Sequence, residues 1–220
     1  MKITKFAQSC ILIETNNKKI LIDPGCLQFK ESLLQNQWAN IDILLITHKH
    51  GDHYLYEAVQ EIVKNPKTKF YTSQEVANSH PELSPKIIKE GDILHLNDIT
   101  IEIVKAVHGY MPFLTENNAI KENIGYIIND GNKKAYHTSD TISFKNNYKC
   151  DIIFVPISNH GLVMGTYEAS LFAKETEAKL IIPIHFDNPK YPTNLNNAKE
   201  EFEKEKLNFK ILKIGESITF

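Results

Sequence analysis

Ile43-Leu44-Leu45-Ile46-Thr47-His48-Lys49-His50-Gly51-Asp52-His53 is the stretch that decides how this chain is read. Four apolar residues form a short continuous run, the pattern of a buried strand. Three imidazoles and one carboxylate follow within six positions. A strand that ends in such a cluster delivers metal ligands at its tip, where water and substrate can reach them. Neutral imidazole and carboxylate suit zinc, and also iron or manganese, better than magnesium or calcium.

Other strand-like runs end the same way. Asp23 closes Ile20-Leu21-Ile22 and is followed by Pro24-Gly25. His108 follows Ile99-Thr100-Ile101-Glu102-Ile103-Val104, which alternates as a half-buried strand should. Asp140 follows Ala135-Tyr136-His137-Thr138-Ser139, and His185 follows Leu180-Ile181-Ile182-Pro183-Ile184. With these residues in place, His48-Lys49-His50-Gly51-Asp52-His53 resembles the His-x-His-x-Asp-His signature of the metallo-β-lactamase superfamily, whose further ligands come downstream at strand ends. The resemblance runs from Cys10 to His185.

The resemblance implies a site for two divalent metal ions, most simply zinc, with manganese or iron as alternatives. His48, His50 and His108 would hold the first ion, and Asp52, His53 and His185 the second. Asp140 would bridge them together with a water or hydroxide. Two ions about 3.5–4 Å apart lower the pKa of that water and polarise a substrate oxygen. The spacing suits this division: His48 and His50 lie two apart on an extended turn, and Asp52 and His53 can turn the other way past Gly51. Seven candidate ligands exceed what one tetrahedral ion can use. Asp23 is expected to orient a ligand histidine and not to bind metal itself.

The chain also repeats itself. Ile11 to Asp23 reads as a hairpin with an Asn16-Asn17 turn, and Tyr126 to Asp140 as one with an Asp130-Gly131 turn. Each ends in aspartate, and each precedes a buried strand opening with Asp-Ile, at 42–46 and 151–155. Each half closes on a similar string, 87–96 and 211–220. This predicts one domain over 1–220 built from two pseudo-repeated halves packed face to face. Helical candidates lie between the strands: 54–64, 73–78, 166–175 with Thr166 as its cap, and the charged 194–206. Two sheets in the middle with helices outside follow. That is an α/β fold, the four-layer αβ/βα sandwich of two mixed sheets that the resembled superfamily adopts.

Composition narrows the function. Three cysteines, Cys10, Cys26 and Cys150, form no Cys-x-x-Cys pair and read as free thiols in a reducing cytoplasm. The first residues read as a strand without a signal-peptide core, and the longest apolar runs are too short to span a membrane. A net charge of −2 gives no steering toward nucleic acid. All 25 basic residues are lysine, so no guanidinium clamp on phosphate is available. A small-molecule substrate is the expected partner. No feature of the sequence fixes an oligomeric state.

The other histidines separate by context. His80 sits in a turn and His95 in a closing strand, both expected to face solvent; His137 is expected to be structural. His160, in Ser158 to Gly165 after the strand 152–155, reaches the ligand edge and is the candidate for binding substrate or donating a proton, catalytic together with Asp52. The loop 109–122 carries apolar residues that could cap a substrate.

Three function classes remain open: a hydrolase of an ester, lactone or phosphodiester; a catalytically silent metal-binding or regulatory protein; and a metal-dependent oxidoreductase. His50 stands where the flavodiiron branch has glutamate, and Asp140 where secreted β-lactamases have cysteine. The resemblance is therefore to the small stand-alone metal-dependent hydrolases, including ascorbate-6-phosphate lactonase-like proteins. Gln8 stands where that group often has histidine, so the lactonase substrate is not carried over.

Overall fold

Parallel strands buried on both faces need continuous apolar sequence, and this chain provides it in three places. The computed structural model describes residues 1–27, 37–111, 119–158 and 160–220. The first sheet has seven strands: β1 (Lys2–Lys5), β2 (Ile11–Thr15), β3 (Lys18–Ile22), β4 (Ile43–Leu45), β5 (Lys69–Thr72), β6 (Lys86–Ile87) and, at its far edge beside β1, β13 (Ser217–Thr219). The second has six: β7 (Ile93–Leu96), β8 (Ile99–Lys105), β9 (Ile124–Asn129), β10 (Lys134–His137), β11 (Ile152–Pro156) and β12 (Leu180–Ile184), in the order β12-β11-β10-β9-β8-β7. Strands β4, β11 and β12 are wholly buried, whereas β8 alternates over its first four residues.

Hairpin chemistry fixes the register. Asn16 and Asn17 both take positive φ, 48° and 55°, which is what a two-residue type I′ turn requires. The turn pairs Thr15 with Lys18 and Ile11 with Ile22. Beyond each hairpin the pairing becomes parallel: β3 with β4 and β4 with β5, then β10 with β11 and β11 with β12. Parallel pairing sends these strands' carboxyl ends to one edge, and that is where the candidate ligands lie. The two closing strings exchange sheets. Strand β7 pairs with β8 in the second sheet, while β13 pairs with β1 in the first, Ile218 opposite Ile3.

The main core lies between the sheets, where Ile13, Ile20, Ile22 and Leu45 meet Ile101, Tyr126, Ile128, Phe154 and Ile182. Helix α1 (Tyr56–Val63) covers the outer face of the first sheet, packing Ala58, Val59 and Ile62 with Leu21, Leu44 and Ile46. The short α2 (Gln74–Ser79) adds Val76 there and is capped by Ser73, whose hydroxyl accepts from the Val76 amide. On the outer face of the second sheet, α3 (Thr166–Glu175) and α4 (Leu195–Lys204) bury Phe172 and Phe202 with Ile153, Val155 and Ile181. The result is the expected helix–sheet–sheet–helix sandwich. Among the described residues no helix is long and apolar enough to cross a membrane.

Two local expectations change. The cap of α3 is Gly165, and Thr166 is its first helical residue; Gly165 is extended because it bridges to Ser158, and its N–H donates to the Glu168 carboxylate at 3.1 Å. His80 is half-buried, its ring 4.2 Å from that of Tyr56, and not free in solvent, although His95 is exposed.

Candidate metal centre

The motif loop is tied to the end of β3 by one carboxylate. Asp23 is fully buried and accepts from the Thr47 backbone N–H at 2.8 Å, the Thr47 hydroxyl at 2.7 Å and His53 Nδ1 at 2.7 Å. The loop then folds back on itself, the His53 and Tyr54 amides both donating to His50 O. Gly25 lies against this turn so closely that a Cβ there would stand 1.8 Å from Asp52 O. Only glycine permits that approach.

The candidate ligands converge in two groups. His48, His50 and His108 form one, and Asp52, His53 and His185 the other. Asp140 lies with His48 and His53, between the groups. The donor spacings fit divalent ions. His48 Nε2 and His50 Nδ1 are 3.2 Å apart, Asp52 Oδ2 and His185 Nε2 3.3 Å, and Asp140 Oδ1 and His53 Nε2 3.2 Å. Donors about 2.0–2.1 Å from a tetrahedral zinc are separated by roughly 3.3 Å. Asp140 Oδ2 is 2.9 Å from His185 Nε2, so its two oxygens face two different ligand histidines.

Hydrogen bonding fixes which ring nitrogen each histidine can offer. Gly109 O can only accept, so His108 Nδ1 donates to it at 2.8 Å and Nε2 keeps its lone pair. The Thr47 hydroxyl spends its proton on Asp23, so His48 Nδ1 must donate to Thr47 Oγ1, at 3.0 Å, and Nε2 again keeps its lone pair. Asp23 holds the proton on His53 Nδ1. The buried Nε2 of His108 has no hydrogen-bond partner among the described residues, and that of His53 faces Asp140 Oδ1. An unpaired nitrogen buried beside other donors is costly unless a cation takes its lone pair. His137 is the contrast. Its Nε2 donates to Ser9 O at 2.8 Å and its Nδ1 accepts from the Ser139 amide at 3.3 Å, leaving nothing for a metal.

The two groups differ in charge. Burial, then the charge on His53, holds His48 well below the ordinary imidazole value, and burial lowers His108. In the second group burial also opposes charge on histidine, but carboxylates win: Asp140 and Asp23 raise His53 well above its usual value, and Asp140 and Asp52 raise His185 to about 9. Burial would push Asp52 and Asp140 up, yet the neighbouring imidazolium groups hold both below the usual carboxylate range. Without an ion, protons on His53 and His185 balance the carboxylates. A metal must displace them.

His160 is half-buried, with its ring 5.3 Å from that of His185 and 5.4 Å from that of Tyr191. Burial, then the charge on His185, lowers its pKa, so it is mainly neutral at pH 7. Its loop is pinned to the His108 loop, the Gly109 N–H donating to Leu162 O at 2.7 Å. Of the expected substrate-capping loop 109–122, positions 112–118 lie outside the described residues. A cavity of about 570 Å³ opens beside His108, walled by Ile87, Ile88, Val107 and Ile124 with Lys89 and Lys105. Sequence reasoning assigned no role to Thr47, Ser158 or Asn123. Ser158 Oγ lies 2.8 Å from His185 Nδ1, and Asn123 donates to Asp140 O at 2.6 Å. Thr47 directly precedes His48 in the motif, which was a readable signal; the other two contacts are long-range and gave none.

A family model described as a beta-lactamase superfamily domain matches residues 2–185. The chain belongs to the metallo-β-lactamase superfamily. Within it, the chain groups with metal-dependent hydrolases. It is 29% identical over 237 residues to a UPF0173 metal-dependent hydrolase of Bacillus cereus and 30% identical over 242 residues to one of Staphylococcus carnosus, in both cases over all of this chain and all of the relative. Among solved structures, a metallo hydrolase from the hyperthermophilic archaeon Ignicoccus hospitalis superposes with a TM-score of 0.81 at 24% identity, over 100% of this chain and 97% of that one. At that identity the superposition speaks for the fold. Beyond the family, the site itself must carry the chemistry.

Proposed function

We propose that this metal-dependent hydrolase uses a dinuclear centre to cleave an ester, lactone or phosphodiester bond in a small molecule. One observation supports the reading: two groups of ligand atoms at metal-ligand spacing, with Asp140 lying beside His48 of the first and beside His53 and His185 of the second. His48, His50 and His108 would hold one ion, and Asp52, His53 and His185 the other, with Asp140 shared. Two divalent ions, zinc above manganese or iron for this donor set, supply an acidified water and a charge that polarises the scissile group.

The chain's own residues do the rest. Asp23 and Thr47 hold a proton on Nδ1 of His53 and His48, so that Nε2 is the nitrogen each ring can offer an ion. Asp52 and Asp140 offset the positive charge that the second position must hold. Neutral His160 offers an N–H beside His185, suited to hydrogen-bonding a substrate oxygen more than to releasing a proton at pH 7. The cavity beside His108 offers an apolar wall with both lysines and the carboxylates of Glu90 and Glu122, a fit for an organic body carrying polar groups.

Elemental analysis of protein reloaded with zinc or manganese tests the centre, and turnover of bis-p-nitrophenyl phosphate and p-nitrophenyl esters tests the chemistry. Two equivalents and metal-dependent turnover are expected. At most one equivalent overturns the dinuclear reading, and two equivalents with no turnover of either substrate class overturn the bond class.

A further inference from the structure

Gln8 is 1% exposed, lies outside the ligand set, and faces it. The orientation of its amide is fixed by chemistry. The Asp187 backbone N–H can only donate, so the Gln8 atom 3.1 Å from it is Oε1. The amide nitrogen therefore falls on the opposite side, 3.1 Å from Asp52 Oδ2 and 3.2 Å from His185 Nε2. Two backbone bonds lock the same pair of turns together: Gln8 N–H donates to Asp187 Oδ2 at 3.0 Å, and His185 N–H donates to Gln8 O at 3.1 Å. Gln8 and His185 both take left-handed φ, 54° and 56°. Such conformations persist where surrounding bonds over-determine them.

Behind Gln8 stands a buried cation. Lys5 has no solvent exposure; its ammonium pairs with Asp187 Oδ2, donates to Phe6 O at 2.9 Å and lies over the Phe186 ring. A buried lysine is kept where its charge is matched. Here the match fixes the carboxylate that holds the Gln8 backbone, and through it the direction of the amide.

We propose that Gln8 is a positioning residue for the second metal: held by the Lys5–Asp187 pair, its amide donates to Asp52 and sets the orientation of that carboxylate. A carboxylate oxygen has two lone pairs. The amide takes one of Oδ2 and leaves the other for the ion. Both candidate ligands that the amide nitrogen reaches, Asp52 and His185, belong to the second group. The proposal rests on the dinuclear reading and concerns the strength of one binding step only.

The test is stepwise zinc binding by competition with a chromophoric chelator, on wild type, Asp52→Ala, Gln8→Met and Gln8→Asn, with circular dichroism as the check on folding. Asp52→Ala identifies the second step. Gln8→Met keeps the length and removes the donor; Gln8→Asn keeps the amide and shortens its reach. Each is expected to weaken that step by about 10–100-fold and to leave the other unchanged. Should Gln8→Met not fold, the same selective loss is required of Gln8→Asn. Equal weakening of both steps, or an unchanged second step, overturns the assignment. Wild-type protein that takes up one equivalent fails the two-ion reading itself, whereas two equal steps in wild type and variant fail Gln8 alone.

Discussion

Asp23→Asn should weaken both metal steps, although Asp23 is expected to touch neither ion. The carboxylate accepts three hydrogen bonds, from the Thr47 amide, the Thr47 hydroxyl and His53 Nδ1. An asparagine of the same shape keeps the first through its oxygen but presents N–H groups to the other two. His53 Nδ1 must then accept, which moves the imidazole proton to Nε2, the nitrogen that faces Asp140. The Thr47 hydroxyl, no longer needed as a donor to residue 23, turns its proton to His48 Nδ1, and His48 also carries its proton on Nε2. Both ligand nitrogens are then blocked unless the tautomers are forced back. Loss of an orienting partner typically weakens metal binding 10–100-fold, about 1.4–2.7 kcal/mol per step. Asp23→Ala removes a buried charge acceptor outright and should in addition lower stability by about 3–5 kcal/mol. Nitrogen-15 spectra of the histidine rings report the tautomers, and chelator competition reports the two steps. Wild-type affinities in Asp23→Asn, with the proton still on Nδ1 of both rings, would refute the reasoning.

Asp140→Ala should abolish turnover while the circular dichroism of the fold survives, because the shared ligand is lost and the sheet core is not; near wild-type activity would show that Asp140 is misassigned. His160→Ala should retain both metal equivalents and lose about 10- to 100-fold in turnover, the worth of one hydrogen bond to a charged group, by the same factor for good and poor leaving groups; a loss that shrinks for p-nitrophenolate would make His160 the acid instead. Metal-free protein should lose stability as pH rises. His185 is raised to about 9, so its contribution, on the order of 3 kcal/mol, is complete below about pH 6.5 and disappears as pH passes through 9. Thermal melts of chelator-treated protein from pH 6 to 9.5 check this, and a flat profile would contradict the ion-paired second group.

The sandwich and the ligand strands were legible because their signals are local. A buried parallel strand reads as a run such as Ile152-Ile153-Phe154-Val155, and a residue as rare as histidine or as out of place as aspartate at its end stands out. The Asn16-Asn17 pair announced its own hairpin because asparagine tolerates the positive φ that the turn takes. What sequence could not show is contact across long separations. Gln8 meets Asp187 over 179 positions, Ser158 finds His185 only because β11 and β12 are paired, and the closing strands β7 and β13 lie in different sheets although the strings 87–96 and 211–220 are similar. Local pattern specifies that such a strand exists and says nothing about its neighbour. The cap of α3 differs for a similar reason, although the helix spans 166–175 as expected: Gly165 is drawn into an extended bridge with Ser158, and the expected threonine cap is the first residue of the helix.

The backbone at the site gives up stability for geometry. Gln8, Asp23, Ser139 and His185 follow β1, β3, β10 and β12, and all four take left-handed φ, between 51° and 63°. Sequence placed none of these turns, because none of the four is glycine. Such a conformation costs of order 1–3 kcal/mol for a residue with a side chain. Glycine would relieve it at each position, but at 8, 23 and 185 it would remove a side chain that the proposed centre uses to bind an ion or align a ligand. At 139 it would remove the hydroxyl that donates to Asn123, which in turn holds Asp140 O. The strain is offset by the hydrogen bonds that join these turns, Asp23 to Thr47 and Gln8 to Asp187 among them. These bonds hold the ligand-bearing strand ends in place before any ion arrives, so metal binding need not organise the turns and is opposed mainly by the protons on His53 and His185.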